Sequence, residues 1–576
     1  MNKIGKYIAI LGLATSMASC NDFFEMERPP QLPINSLEDL EMAAVSPYSN
    51  LFNGGWGTFH SCYLLNEVLQ SDLFAWIGNV EDYPTEELFE RRYNQRITQV
   101  TDLYNSLYTT IGLCNSGLYF YQTTGDNPLP YESEEDYELN VKRIKGELLF
   151  TRAFAYYHLA EIFCPPYGYG HDEEAILVKR DRMVESADDA MNNRAVPTSE
   201  IYALIISDLK EAIELLPEQW TDGMHISYQS RGRANRWAAK VLLAQVLFTM
   251  QDFEGALAIY DDIIAHSGYD LEDNPFTNFA NESTRPLLAE NKEVIMWKFC
   301  ADDIKHDSNM RHDAGLRLCQ FNKNGVKAEM GGNGPDAMAR VPNWSMHDWL
   351  QVKLSKSALV KMGWMNEDGS ETQAALNDLR YYNQPSDAGA YVNKEGLFYR
   401  FEGADPDLMA GSKRTGASSD GKYITYNKYA SFIGQNDPFV LVNKYFRSNT
   451  GRYQNLPLFR MAEVYLNRAA ARNKLGIGGW SDDYNKVASR AWNNASTPYS
   501  PKTDAQVSLE DIRIERWKEM AGEDDWYIRF CAAIGLPVGN GERKSAGEYS
   551  ELSTSNYANA YWKECIPLGG ELDFRQ

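Results

Sequence analysis

The chain has few cysteines and no closely spaced pair of them. It contains 8 cysteines in 576 residues, and the ones beyond Cys20 are far apart: Cys62, Cys114, Cys164, Cys300, Cys319, Cys531 and Cys565. Zinc ribbons need a C-x-x-C type of spacing, and small disulfide scaffolds need many cysteines, so the sequence favours neither. We expect most of these side chains to be buried as small apolar groups. A disulfide between Cys300 and Cys319 stays open as an alternative.

Long apolar segments are also missing after the first twenty residues. A helix that spans a bilayer needs about 20 predominantly apolar residues, and charged residues interrupt every later candidate. Positive charge is scarce as well, since the chain has 56 basic and 80 acidic side chains and its net charge is −24. Such a protein repels phosphate backbones, so nucleic acid is not a predicted partner.

Common catalytic signatures are absent too. The sequence has no G-x-S-x-G elbow, P-loop, H-E-x-x-H or dinucleotide-binding fingerprint. The most metal-like run, His306-Asp307 with His312-Asp313, is better explained as a solvated loop. A glycosidase needs two carboxylates across a cleft, but with 80 acidic residues the presence of such a pair identifies nothing. We therefore predict a protein that is not an enzyme and uses no cofactor. The presence of a structural calcium ion stays open as an alternative.

The chain opens with an export signal. Two lysines are followed by the apolar residues 8–14 and then by Met-Ala-Ser before Cys20. Small residues directly before a cysteine are typical of a bacterial lipoprotein signal, although a plain signal peptide with a coincidental cysteine is the alternative. We predict that residues 1–19 are removed, that Cys20 is lipidated, and that the polar residues 20–36 form a tether.

Apolar residues at spacings of three and four predict that residues 37–267 are largely helical. The predicted helical segments are 37–70 with turns at Ser46-Pro47 and 52–58, 85–121, 132–163 ending before Pro165-Pro166, and 200–216 capped by Ser199. Residues 72–84 are predicted to form a loop with exposed aromatic rings.

Residues 234–266 predict an antiparallel pair of helices. Ala244 and Ala256 are small where two helices approach closely, Leu247 and Tyr260 fill the space between them, and the turn falls at Gln251-Asp252. This is the pattern of a tetratricopeptide repeat. A second copy is predicted at residues 456–487.

Between the two copies, residues 268–455 have a different character. They are rich in Gly, Asn, Asp and aromatic residues, with short strand-like runs at 293–297, 423–426 and 439–442. The predicted fold is mainly α: a tetratricopeptide-like helical repeat scaffold (37–267 and 456–576) that carries a loop-rich insertion with short β-strands.

Several motifs together resemble one known family. They are the cysteine of the export signal, the Arg231-Gly-Arg-Ala segment before the first helix pair, LFRMAEVYLNRAAA in the second pair, IERWKE at 514–519 followed by Asp525-Trp-Tyr, and IPLGGELD at 566–573. The chain is similar in these features to the SusD/RagB family of outer-membrane nutrient-binding lipoproteins. Family members usually read ERRRELAFEG followed by an RWxDLRR-type segment. This chain has ERWKEMAGEDDWYIRFCAA instead, so the second arginine and the later arginine pair are missing.

The resemblance implies a cell-surface lipoprotein, anchored in the outer membrane of a Bacteroidota bacterium. Such proteins capture glycans, or in some members peptides, and deliver them to a SusC-like TonB-dependent transporter. A glycoside hydrolase and a pure repeat-based interaction scaffold are the alternatives, and the second would leave the loop aromatics without a role.

A sugar offers apolar C–H faces and many hydroxyls, so its site needs flat rings flanked by hydrogen-bonding side chains. Trp76 and Asn79 offer that combination, and the resemblance implies a ligand contact for both, because a Trp and an Asn at this separation contact ligand in the starch-binding member. Tyr83 is a further candidate. The alternative is that Trp76 only seals its loop onto the helices.

The insertion offers a second set of candidate ligand residues. Trp344 lies in a polar, glycine-containing context with Asn343 and Arg340 nearby, whereas Trp297 lies in an apolar run and is predicted to be core. Trp56, in a Gly-Gly-Trp-Gly loop, is the last ligand candidate.

Overall fold

The computed structural model describes most of both predicted helical regions and parts of the region between them. The main described ranges are 34–52, 64–76, 83–92, 98–125, 132–186, 194–221, 232–279, 291–298, 352–381, 397–401, 437–442, 456–493 and 497–566, with a few isolated positions between them.

Helices make up most of the described scaffold, as the apolar periodicity predicts. The described α-helices of five residues or more are α1 (Leu37–Leu51), α2 (Tyr83–Phe89), α3 (Thr98–Thr124), α4 (Lys142–Phe163), α5 (Thr198–Leu215), α6 (Arg236–Thr249), α7 (Phe253–His266), α8 (Lys356–Lys361), α9 (Gln373–Asn377), α10 (Met461–Leu475), α11 (Trp480–Arg490), α12 (Leu509–Met520) and α13 (Tyr527–Ile534). Across the described ranges, no helix combines the length and the apolar character that crossing a membrane requires.

The helix α4 lies at the centre of the first half. Nearly all of its side chains are buried, and it packs against α1, α3 and α5. A Cβ at Gly146 would lie 3.0 Å from Leu215 and 3.1 Å from Leu216, so the glycine permits the close approach of α4 and α5. The helix ends at Phe163, before the proline pair, which confirms the predicted stop.

The first predicted repeat is confirmed as the antiparallel pair α6 and α7. Ala244, Ala256 and Tyr260 are fully buried between the helices and their neighbours. Gln251 takes a left-handed φ of 64° at the turn, and the Asp252 carboxylate accepts the Gly255 N–H at 2.9 Å to cap α7.

The second repeat is confirmed as α10 and α11, with one correction. The prediction placed residues 456–460 in the first helix, but they form the strand β10 (Leu456–Arg460), which pairs with β4 (Val294–Lys298). The strand partner is supplied by a segment some 160 residues earlier, and its hydrogen bonds outweigh the local helical periodicity.

The prediction of one continuous helix over residues 85–121 is wrong. The helix α2 ends at Phe89, and Arg91 takes a left-handed φ of 53°. The Arg91 guanidinium donates to the carbonyl oxygen of Tyr549 at 2.7 Å and to that of Gly539 at 2.9 Å. These distant partners fix Arg91 where a straight helix could not place it.

The predicted turn at Ser46-Pro47 and the predicted cap at Ser199 are also wrong. Pro47 lies inside α1 rather than in a turn, because Ala44 and Tyr48 on either side of it are buried and packing continues the helix. Ser199 is not a cap, since α5 already begins at Thr198 and its N-cap position is Pro197.

The described strands pair as two-stranded antiparallel sheets. The pairs are β1 (Phe74–Trp76) with β5 (Val352–Leu354), β2 (Ala175–Val178) with β3 (Ala195–Pro197), β4 with β10, β6 (Phe398–Phe401) with β9 (Phe439–Val442), and β7 (Gly416–Ala417) with β8 (Ile424–Thr425). The strands predicted at 293–297, 423–426 and 439–442 are confirmed, and Trp297 is buried as predicted.

A buried ion-pair network joins the insertion to the second repeat. Glu519 on α12 accepts from Arg380 of the insertion at 2.8 Å, from Arg460 of β10 at 2.6 Å, and from Arg490 of α11. The side chains of all four residues are at most 5% exposed. The insertion is therefore fixed to the scaffold by charge as well as by apolar contact.

The cysteines within the described ranges follow the prediction of small buried side chains. Cys62, Cys114, Cys164 and Cys531 are free and buried, and burial raises the pKa of Cys164 and of Cys531 to about 12. Cys300 and Cys319 lie outside the described residues, and so does the side chain of Cys565.

Candidate functional site

Asp72 fixes the approach to β1, the strand that carries Trp76. Its carboxylate accepts the Tyr527 hydroxyl at 2.9 Å and the Gly539 N–H at 3.0 Å, while its carbonyl oxygen accepts the Ser355 hydroxyl at 2.7 Å. The Ser355 hydroxyl in turn accepts the Ala358 N–H at 3.1 Å and caps α8. The residues before β1 are thus held by three distant segments of the chain.

Trp76 is the last residue of β1 and lies opposite Val352 of β5. Its ring is half-buried and stacks on the Phe89 ring of α2, with centroids 5.7 Å apart and planes inclined by 28°. The guanidinium carbon of Arg543 lies 4.3 Å from the centroid of the same Phe89 ring. We call Trp76, Phe89 and Arg543 the aromatic wall.

Arg543 also holds the main chain around this wall. Its guanidinium donates to the carbonyl oxygens of Leu69 at 2.5 Å, Ser71 at 2.9 Å and Phe89 at 2.5 Å. A buried arginine that donates to several carbonyls fixes the loops that carry them, because each carbonyl would otherwise be buried without a partner. The ring of Trp76 is therefore presented on a rigid base.

Close approach of the C-terminal loop to β1 depends on Gly541. A Cβ there would lie 2.9 Å from the Phe74 carbonyl oxygen and 3.0 Å from that of Ser71, and its φ of +58° is left-handed. Glycine tolerates both conditions, whereas any other residue would be strained and would push β1 away.

Trp76 is the one predicted ligand residue whose side chain the structure describes. The predicted loop over 72–84 is corrected: residues 74–76 form a strand, Phe74 is fully buried, and Tyr83 is the first residue of α2. The side chain of Tyr83 lies outside the described part of the chain. Also outside it are Cys20, Trp56, Asn79, Arg340, Asn343 and Trp344, so their roles stay predictions.

Metal-binding groups are not found in the part of the chain that the structure describes. No cluster of three or more His, Cys, Asp or Glu side chains there has an arrangement that would hold an ion. The run His306–Asp313 lies outside these residues.

A buried titratable cluster lies where α4 meets the turn before α13. His158 Nδ1 lies 2.8 Å from Glu161 Oε2, and His158 Nε2 lies 3.5 Å from Asp525 Oδ2. Burial lowers the pKa of His158 to about 4, although the Asp525 charge acts in the opposite direction. Burial also raises the pKa of Glu161 and that of Asp525. Because these groups are enclosed, we assign the cluster to the scaffold.

The substitution His158→Gln is expected to make the free energy of unfolding depend less on pH in acid. Unfolded histidine has a pKa of about 6.5, so between that value and the folded pKa of about 4 only the unfolded chain binds the proton. The wild type then loses stability as pH falls, by on the order of 3 kcal/mol over the full window. The raised pKa values of Glu161 and Asp525 have the opposite effect on the free energy of unfolding, because the stability that these two groups contribute is lost as pH rises.

Urea unfolding at pH 7 and pH 5 checks this expectation. The difference in unfolding free energy between wild type and variant should shrink in acid. An unchanged difference would mean that His158 keeps its ordinary pKa in the folded chain.

Two family models match the chain. One, described as "Starch-binding associating with outer membrane", matches residues 64–248, which include β1 and α2. The other, described as the SusD family, matches residues 292–529, which include Glu519 and its partners. The chain belongs to the SusD/RagB family.

Relatives of this SusD/RagB chain agree in length as well as in fold. The SusD-like protein P25 of Formosa agariphila is 24% identical over 551 residues, covering 90% of this chain and 88% of its own. A putative sugar binding protein from Bacteroides vulgatus superposes with a TM-score of 0.61 at 18% identity, covering 95% of this chain and 98% of its own. The surface glycan-binding protein A from Bacteroides uniformis has a TM-score of 0.58 at 17% identity, covering 93% and 98%. At these identities the structural likeness concerns the fold.

Sequence reasoning missed two members of the aromatic wall. Phe89 was expected as an ordinary helical residue, and Arg543 is 454 residues away from it along the chain. No short motif marks either residue, so only the tertiary structure brings them to Trp76.

Proposed function

We propose that this SusD/RagB protein captures glycans at the outer surface of the cell and delivers them to a SusC-like TonB-dependent transporter without cleaving them. The observation that carries the proposal is the position of Trp76: a partly exposed ring on a rigid base, within the residues that match the starch-binding, outer-membrane-associated family. A preformed flat ring suits a sugar face because little ordering is needed on binding. The names of the Bacteroides vulgatus and Bacteroides uniformis proteins, which mention sugar and glycan binding, support the same class of ligand.

Lipidation of Cys20 is the proposed anchor. Two or more acyl chains hold a protein stably on a membrane, whereas one chain is marginal. The variant Cys20→Ala is expected to move from the outer-membrane fraction to soluble fractions, as measured by immunoblotting of fractionated cells. The matched variant Ser19→Gly keeps a small residue before Cys20 and should stay in the membrane. A Cys20→Ala protein that remains membrane-bound in cells lacking the transporter would contradict the anchor.

Delivery requires a partner, since an anchored lipoprotein offers a captured glycan no route across the membrane. We expect a TonB-dependent barrel transporter to copurify with this protein from native membranes in mild detergent. Mass spectrometry of the purified complex checks this. Repeated purification of the lipoprotein without any such transporter would count against the delivery step while leaving glycan capture standing.

A further inference from the structure

A cleft lies beside α2, on the side where the C-terminal segment packs. Its volume is about 600 Å³, which is within the size range of small-ligand pockets. The residues that line it are Arg91, Arg92, Ala546, Gly547, Glu548, Tyr549, Asn559, Tyr561 and Lys563. We call it the C-terminal cleft.

The C-terminal cleft lies next to the aromatic wall, because residues at the end of α2 contribute to both. Arg91 follows Phe89 by two residues and donates to the Tyr549 carbonyl oxygen at 2.7 Å. Arg92 donates to the Ser545 hydroxyl at 2.9 Å. The end of α2 therefore joins the stack beneath Trp76 to the lining of the cleft.

Positive charge is concentrated in this lining, in a protein whose net charge is −24. Arg92 and Lys563 reach the cleft, the fully buried Arg91 lies at its base with its guanidinium bound to main-chain carbonyls, and Glu548 is the acidic lining residue. Glu87 pairs with Arg92 at 2.8 Å and offsets part of its charge, but Glu87 does not line the cleft. The ammonium of Lys563 is exposed and forms no ion pair with any residue that the structure describes.

Rings and hydrogen-bonding groups accompany the charge. Tyr549 is half-buried and Tyr561 is largely buried, so each can offer part of a ring to a ligand, and Asn559 is exposed with an amide that both donates and accepts. This combination suits a polyhydroxylated ligand that also carries negative charge. All of these residues lie beyond residue 529, where the second family match ends.

We propose that the C-terminal cleft binds an acidic unit of the captured glycan, a sugar that carries a carboxylate or a sulfate. Lys563 and Arg92 bind the anionic group, and Tyr549 packs against the C–H face of the ring. This inference rests on the proposed glycan-binding function and adds a second subsite to the one at Trp76.

Isothermal titration calorimetry of the purified full-length protein with three tetrasaccharides tests the inference: tetragalacturonate, a κ-carrageenan tetrasaccharide and uncharged galactotetraose. We expect one of the anionic probes to bind at least about tenfold more tightly than the neutral one at low salt, and added sodium chloride to weaken only anionic binding. The anionic probe that binds distinguishes a carboxylate from a sulfate. Lys563→Gln should weaken its binding about fivefold, and Lys563→Glu by more. Lys142→Gln, which removes a partly exposed lysine at the start of α4 that pairs with Glu138, is the control for loss of one positive charge and should have no effect.

Each outcome decides the inference. The inference would be overturned if the neutral and anionic probes bound with equal affinity, or if neither anionic probe bound. It would also be overturned if both Lys563 variants bound the anionic probe as tightly as the wild type does. Glycan binding that persists at Trp76 in those cases would leave the proposed function intact, whereas a protein that binds no glycan of any charge would overturn both.

Discussion

Replacing Glu519 with glutamine is expected to lower the free energy of unfolding by about 3–5 kcal/mol, the usual cost of removing one partner from a buried ion pair. Burial alone would raise the pKa of Glu519, but the guanidinium groups of Arg490, Arg460 and Arg380 outweigh it and hold that pKa well below its ordinary range. The carboxylate is therefore charged in the folded protein, and a neutral amide would remove the one charge that the three buried arginines share. Each arginine would keep only its other partners: Asp378 and Glu515 for Arg380, Glu293 and Glu523 for Arg460, and Glu293 for Arg490.

Urea unfolding at pH 7 measures the effect of Glu519→Gln, and hydrogen exchange over residues 356–381 shows where it acts. Because Arg380 is one of the three partners, we expect the insertion to lose protection first. Glu138→Gln, which removes an exposed partner of Lys142, is the control and should leave the unfolding midpoint unchanged. A Glu519→Gln protein as stable as the wild type would mean that apolar packing alone holds the insertion in place.

Truncation of Trp76 is expected to weaken glycan binding by at least about thirtyfold, since an aromatic anchor typically contributes 2 kcal/mol or more. The sequence predicts a ring at the tip of a loop, whose loss would barely affect the fold. The structure corrects this: the ring stacks on Phe89, so Trp76→Ala should also lower stability, by about 1–2 kcal/mol.

Trp492→Ala is the matched control for Trp76→Ala. Trp492 is likewise half-buried and likewise contacts an aromatic partner, Tyr499, with ring centroids 6.0 Å apart, but it follows α11 rather than β1. Calorimetry should show reduced affinity for the Trp76 variant and unchanged affinity for the Trp492 variant. If both variants bind as the wild type does, Trp76 is a packing residue and the ligand contacts lie elsewhere, with Trp344 the next candidate.

Local patterns in the sequence predicted the elements whose stability is local. The pair α6 and α7 follows from small residues at Ala244 and Ala256, and the end of α4 follows from the proline pair after it. These signals lie within a few turns of the structure that they determine, so they can be interpreted without knowing the rest of the fold.

Predictions failed where distant residues decide the local conformation. The break at Arg91 depends on carbonyl groups at Gly539 and Tyr549, and the strand β10 depends on β4. The same reason explains the site: Trp76 was a candidate because its own ring and context suggested it, but Phe89, Arg543 and the residues of the C-terminal cleft become neighbours only in the folded chain.

A glycan array probed with the purified protein and with Trp76→Ala, followed by recovery of the bound ligand, is the most direct test of glycan capture. We predict that the wild type binds one or more glycans, that Trp76→Ala loses this binding, and that the recovered glycan has its original length. A wild type that binds peptides but no glycan, or that releases shortened glycan in proportion to the protein added, would contradict the account.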